Sequence, residues 1–164
     1  MAEQMTVLKL VLDELNLANS ISTIDDRIAL QKVVCLTQEA GLQLGYGYNW
    51  YIRGPYSPAL AADYYQLASD QVAVAEKAAG FTLTSSATRA VNKVAAILEV
   101  PNDVQLSGVY WLELLASVAF LRRRYRFSAE AAKAKIESSK PLLAPHFDRA
   151  MTALTSAGFE LEPR

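Results

Sequence analysis

Residues able to do chemistry are few in this chain and badly spaced for it. There is one histidine, His146, and one cysteine, Cys35, 111 positions apart. Metal sites want several His, Cys or carboxylate ligands at set spacings, and no such set is visible. His146 follows Pro145 at an expected helix start, a place that suits a structural or solvated side chain. Cys35 has no neighbouring residue that would stabilise a thiolate, and a lone cysteine cannot form an internal disulfide. The glycines at 45, 47 and 54 match neither GxxxxGK[ST] nor GxGxxG, so no phosphate loop is expected. Asp25 and Asp26 are adjacent, but neighbours on a helix diverge by about 100°, so helix capping explains them better than acid–base pairing. The sequence thus offers no catalytic residue, no metal ligand set and no cofactor motif. An enzyme with a distributed site is the weakest of three readings.

Two clusters have the chemistry of contact surfaces instead. Tyr46, Tyr48, Tyr51 and Tyr56, with Trp50 and Arg53, fall within eleven residues of a Gly/Pro-punctuated stretch, residues 45–58. Such aromatics can simply cover the edge of a core while Gly54-Pro55-Tyr56-Ser57 turns the chain. They can also form a binding rim with Arg53 as its charged anchor, because Tyr, Trp and Arg dominate interface hot spots. Arg122, Arg123, Arg124 and Arg126 crowd around Tyr125 at the end of the most apolar stretch. Cations there answer a helix C-terminal dipole and solubilise the exit of a buried helix. The alternative is a contact surface for phosphate or an acidic partner.

Leu30-Gln31-Lys32-Val33-Val34, followed about twenty residues later by Arg53-Gly54-Pro55-Tyr56-Ser57-Pro58-Ala59-Leu60, resembles a bacterial pattern. A helical LQK segment leads to an aromatic stretch ending in GPYSPxL, as in the YwgA-type uncharacterised proteins. More distantly it resembles the Panacea and SocA-like antitoxin families. The match spans residues 24–60. It implies a helical, winged-helix-like domain in toxin–antitoxin, regulatory or phage-defence settings, without catalysis.

The elements that must position these clusters follow from periodicity. Apolar residues at 5, 8, 12 and 15 predict a first helix over residues 4–17, closed by a polar Asn-Ser stretch. Thr23 can cap a second helix over 23–43, with Asp25 and Asp26 in its first turn. One broad side of that helix is apolar. Arg27, Gln31, Lys32, Gln38, Glu39 and Gln43 form the other side, where Ile28, Cys35 and Leu42 make a strip that needs a second neighbour in the fold or on a partner. Residues 50–53 can be extended, and Ser57-Pro58 starts a third helix over 59–68. Residues 72–75 and 81–84 alternate like a small hairpin. Three helices and then a hairpin is the order of a winged helix-turn-helix. Further helices are expected at 86–100, 106–125, 129–138 and 145–157, with Gly158 ending the last. The fold class is mainly α: one domain over 1–164, with a winged-helix-like half (1–84) bearing a small β-hairpin and a helical half (85–164) packed on it.

Bulk properties exclude several classes. At 164 residues, 52% hydrophobic and 20% charged, the chain can bury a full core and is not globally disordered. The N-terminus lacks the charge pattern of a signal peptide, and the apolar run at 109–121 is shorter than the ~20 residues a bilayer needs. A cytoplasmic protein without a membrane partner is therefore expected. Net charge is −1, divided as −4 over residues 1–70 and +3 over 71–164. The leading expectation is a non-catalytic regulatory or accessory module that binds a protein partner, with self-association left open. The alternative is a winged-helix DNA-binding transcription regulator. Against it, residues 57–71, the would-be recognition helix, hold no Lys or Arg and carry Asp63 and Asp70, so nucleic acid is the disfavoured partner.

Overall fold

The stretch without a polar face sets the centre. In the computed structural model, which describes residues 2–17 and 20–162, helix α6 (Gly108–Ala119) is buried from Trp111 to its end. Ser107 caps its start, and the Trp111 indole N–H donates to Ile97 O at 2.9 Å. Its most extensive partner is α2 (Ile24–Glu39), buried from Leu30 onward. Around this pair lie α1 (Ala2–Glu14), α3 (Pro58–Ser69), α4 (Gln71–Ala78), α5 (Ser85–Ala95), α7 (Ala129–Ser139) and α8 (Phe147–Ser156). One apolar cluster runs from Met5 on α1 to Leu161 beyond α8, so both halves of the sequence share a core. The fold is mainly α, with one small antiparallel hairpin among the described residues: β1 (Asn49–Tyr51) pairs with β2 (Gly54–Tyr56), placing Trp50 opposite Pro55.

Several boundaries lie where local chemistry puts them. Thr23 and Asp26 form a reciprocal capping box at the start of α2, and Ser57 Oγ accepts from Leu60 N ahead of Pro58. Gly158, at φ +100°, follows the end of α8. α2 is shorter than its apolar pattern suggests. Gly41, at φ +120°, donates to Gln38 O, and Leu42 donates to Thr37 O, the hydrogen-bond pair that turns a chain out of a helix. Of the Asn-Ser stretch after α1, Asn19 lies outside the described residues.

The expected hairpin at 72–75 and 81–84 does not form. Residues 72–75 lie within α4, which packs on α1 and buries Ala78. Residues 81–84 are irregular, and Thr84 Oγ1 accepts from Ala87 N to cap α5. Alternating Val and Ala is a weak strand signal, since alanine is the best helix former and a neighbouring helix supplies the apolar contact. The hairpin therefore stands between the second and third helices, not after the third. α6 also stops short of 125: it widens into a π turn, Phe120–Arg124, in which Tyr125 N reaches back to Phe120 O.

Candidate functional site

The side of α2 that looks solvent-facing in sequence is a buried template for the loop after it. Gln38 and Gln31, two helical turns apart, each clamp a backbone segment with both ends of the amide. Gln38 accepts from Tyr46 N and donates to Tyr46 O, both at 3.0 Å. Gln31 accepts from Ser57 N and donates to Ser57 O, both at 2.9 Å. The loop between these clamps is the aromatic stretch, so its two ends are pinned to one helix.

The hairpin is held from below by cations. Lys32 Nζ donates to Pro55 O at 2.7 Å, and Lys140 Nζ donates to Ile52 O at 2.7 Å while pairing with Glu113 at 2.9 Å. Lys135 and Lys140 also stand 5.9 and 5.3 Å from the Trp50 ring centre, within cation–π range. Gly54, at φ +85°, lies so close to α6 that a Cβ there would be 2.5 Å from Ser117 Oγ. Burial pushes the Lys32 ammonium down to about 8, and Lys140 and Arg53 push the same way, against Cys35 and Glu113. Burial pushes the Cys35 thiol up, away from a reactive thiolate.

Beyond this support an open groove of about 420 Å³ runs between the hairpin, the first turns of α2 and α3. Ile24 and Ile28 come from α2, Tyr64 and Tyr65 from α3, and Tyr51, Ile52 and Tyr56 from the hairpin. Ile28 and Tyr64 are buried at its base, but four of its apolar side chains are exposed: Ile52 is 93% exposed at the hairpin tip, Ile24 58%, Tyr65 51% and Tyr51 46%. Tyr51 and Tyr56 meet edge to face at 5.5 Å. Arg27, Gln31, Lys32, Arg53 and Gly54 complete the lining, which contains no Asp or Glu.

The sequence-derived rim is thus divided. Tyr51, Arg53 and Tyr56 line the groove; Tyr46 and Tyr48 do not. Tyr46 is 5% exposed, and its hydroxyl donates to Asp63 at 2.6 Å. The Tyr48 hydroxyl donates to Gln31 O at 3.2 Å, and burial holds its pKa well above the ordinary phenol value. Both belong to the Gln38–Gln31 loop anchor, because the glutamine clamp draws that part of the loop inward. Ile28 lines the groove as well, from the strip on α2 that needed a second neighbour, and Arg27 from the polar side of that helix, whereas Ile24, Ile52, Tyr64 and Tyr65 had not stood out in sequence. Only Ile52, a bare apolar residue beside Arg53 in a turn, carried a signal that could have been read.

The arginine cluster is largely engaged within the fold. Arg122 is buried and meets Glu162 at 2.8 Å and Phe127 O at 3.2 Å. Arg123 and Arg124 share Glu39, at 3.1 and 3.2 Å, and Arg123 also donates to Glu160 O. Burial raises the Glu39 pKa while both arginines oppose it, as expected for a carboxylate at the last position of α2, where the helix dipole disfavours negative charge. Arg126 is exposed, with a left-handed backbone at φ 58° and no ion pair among the described residues. Three of the four arginines offered as a phosphate or acidic-partner contact therefore hold α2 and the C-terminal segment to the π turn.

Among the described residues no group of three or more His, Cys, Asp or Glu side chains is placed to hold a metal ion, and no helix is long and apolar enough to cross a membrane. Fold and site together define a mainly helical protein with an aromatic, cation-edged groove at a clamped hairpin. No protein-family model matches the chain, and no curated protein or solved structure matches it.

Proposed function

We propose that this protein is a cytoplasmic, non-catalytic regulatory or accessory module that binds a protein partner through the hairpin groove, in a toxin–antitoxin or phage-defence setting. The observation that carries the reading is the convergence of four exposed apolar side chains, Ile24, Tyr51, Ile52 and Tyr65, on one groove beside Arg53. Contiguous exposed apolar surface mixed with Tyr and Arg is the composition of interface hot spots. The rigid mounting of the hairpin on Gln31, Lys32 and Lys140 supports it further, since a preorganised surface loses little entropy on binding. The setting rests on the resemblance of the LQK and GPYSPAL segments to the YwgA-type and antitoxin families.

The DNA-binding reading finds less support. α3 carries no Lys or Arg, its Asp63 is tied to Tyr46, and Arg122, Arg123 and Arg124 face carboxylates of this chain. The test is to isolate the tagged chain from its native host, alongside an Ile52→Ala/Tyr65→Ala variant, and to measure binding of the purified partner by calorimetry. Loss of two hot-spot side chains, each worth about 2 kcal/mol, should weaken binding at least ten-fold with the circular dichroism spectrum unchanged. Equal binding by the variant refutes the reading. So does nanomolar, sequence-specific duplex DNA binding near physiological salt.

A further inference from the structure

Charge is distributed oddly around the groove. Residues 1–70 carry four basic side chains, Lys9, Arg27, Lys32 and Arg53, and eight acidic ones. Three of those four cations line this groove, and none of the eight carboxylates does. Of the acidic residues nearest in sequence, Asp26 Oδ2 accepts from Ser20 and from Thr23 N while still attracting Arg27, and Asp63 accepts from Tyr46. Among the described residues no carboxylate lies within ion-pair distance of Arg27, Arg53 or Lys32, whereas Lys9, the fourth cation, is paired with Asp13 at 2.6 Å. Beneath the hairpin Lys32 and Lys140 share one carboxylate, Glu113, which pairs with Lys140 and acts on Lys32 from further off, so this support keeps a net positive charge. A second cleft of about 420 Å³, between α1 and residues 81–84, has one Glu and one Lys and is balanced. That cleft thus lacks the net positive lining of the hairpin groove.

Three cations beside apolar, aromatic walls, with no carboxylate in the lining, present a net attractive field to an anion. We infer that the groove takes a short acidic–apolar segment of a protein: one or two large apolar side chains seated between Ile24, Ile52 and Tyr65, flanked by Asp or Glu directed at Arg53 and Arg27. This inference rests on the partner-binding reading and names the chemistry of what the partner inserts. A peptide is favoured over nucleic acid because the walls are apolar and α3, at one side, carries only acidic charge. It is favoured over a second copy of this chain because the self-complementary surface a symmetric pair requires would face cation to cation.

The test pans a random dodecapeptide library against the intact protein and measures the enriched peptides by fluorescence anisotropy. Enrichment of Asp or Glu next to Leu, Ile, Phe or Trp is expected. Replacing those acids by Asn or Gln should weaken binding at least ten-fold, as should Arg53→Glu, with the far-ultraviolet spectrum unaltered. Raising salt from about 50 to 300 mM should weaken it several-fold, because the contacts are exposed enough to be screened. Enrichment of basic or wholly neutral peptides, insensitivity to Arg53→Glu, or dimerisation that Ile52→Ala abolishes would each overturn the inference. The two readings fail differently. If Ile52→Ala/Tyr65→Ala strips the native partner but Arg53→Glu does not, the acidic-segment inference falls and the partner-binding reading stands. If neither variant affects capture, both fall.

Discussion

Placing a methyl group on Gly54 should loosen the hairpin from α6, and the structure allows the size of the effect to be worked out. Gly54 has φ +85°, where an L-residue pays roughly 1–2 kcal/mol. Its added Cβ would lie 2.5 Å from Ser117 Oγ, with Lys140 Cε and Lys32 Nζ each at 3.7 Å. Ser117 is fully buried on α6, so relief demands a rotamer change or a backbone shift, and overpacking of this kind costs about 1–3 kcal/mol. Gly54→Ala should therefore lose about 2–5 kcal/mol in urea unfolding followed by circular dichroism. For a chain of this size that lowers Tm by roughly 5–15 °C. Because Ser117 Oγ has no hydrogen-bond partner, Ser117→Ala alone should be close to neutral. In Gly54→Ala/Ser117→Ala the steric part should return and the backbone part should remain, leaving a loss of about 1–2 kcal/mol. Gly47→Ala serves as the control, since nothing lies within 4 Å of a Cβ there. A Gly54→Ala chain as stable as the parent refutes the close approach. Failure of Ser117→Ala to restore any stability refutes the assignment of the clash to Oγ.

Three further outcomes follow from the buried polar groups. Gln31→Leu leaves Ser57 N and O without their partner and should cost about 2–4 kcal/mol in the same unfolding assay; a loss under 1 kcal/mol would contradict the clamp. Removing Arg123 and Arg124 together strands the Glu39 carboxylate, and part of the loss, about 2–3 kcal/mol after allowance for the exposed side of the pair, should be seen at neutral pH. With the arginines gone the Glu39 pKa rises further, so the neutral acid is tolerated below it and the deficit should shrink toward pH 4; a deficit that grows on acidification contradicts this sign. Lys32 falls from 10.5 to about 8 on folding, so between those values the unfolded chain binds the extra proton and stability gains up to about 3 kcal/mol as pH rises. Comparing pH profiles with Lys32→Met isolates that contribution, and parallel profiles for the two proteins would refute it.

What the amino-acid order decides alone in this protein is local. Thr23 and Ser57 start their helices because a side-chain oxygen reaches a backbone N–H three residues on, and Gly158 tolerates the left-handed turn after α8. The buried run of α6 is equally plain, since a helix apolar nearly all round has nowhere to go but the core. The mainly α class with one small hairpin follows from such signals. Which of two weak strand signals became that hairpin does not. Residues 72–75 could pair or coil, and packing against α1 chose the helix, whereas Gly54 and the cations beneath it chose residues 49–56. The candidate site was legible in outline at Tyr51, Arg53 and Tyr56, but not its boundary. Tyr46 and Tyr51 are the same side chain in one loop, and only the Gln38 clamp, a contact eight residues away, sends the first inward. For the same reason Gln31, Lys32 and Glu39 read as the polar side of a helix, and Arg122–124 as the solubilised end of one or a contact surface. A polar side chain faces water or a buried backbone according to what the chain later brings against it, and that is settled by tertiary contacts such as Lys140 on Ile52, 88 residues apart.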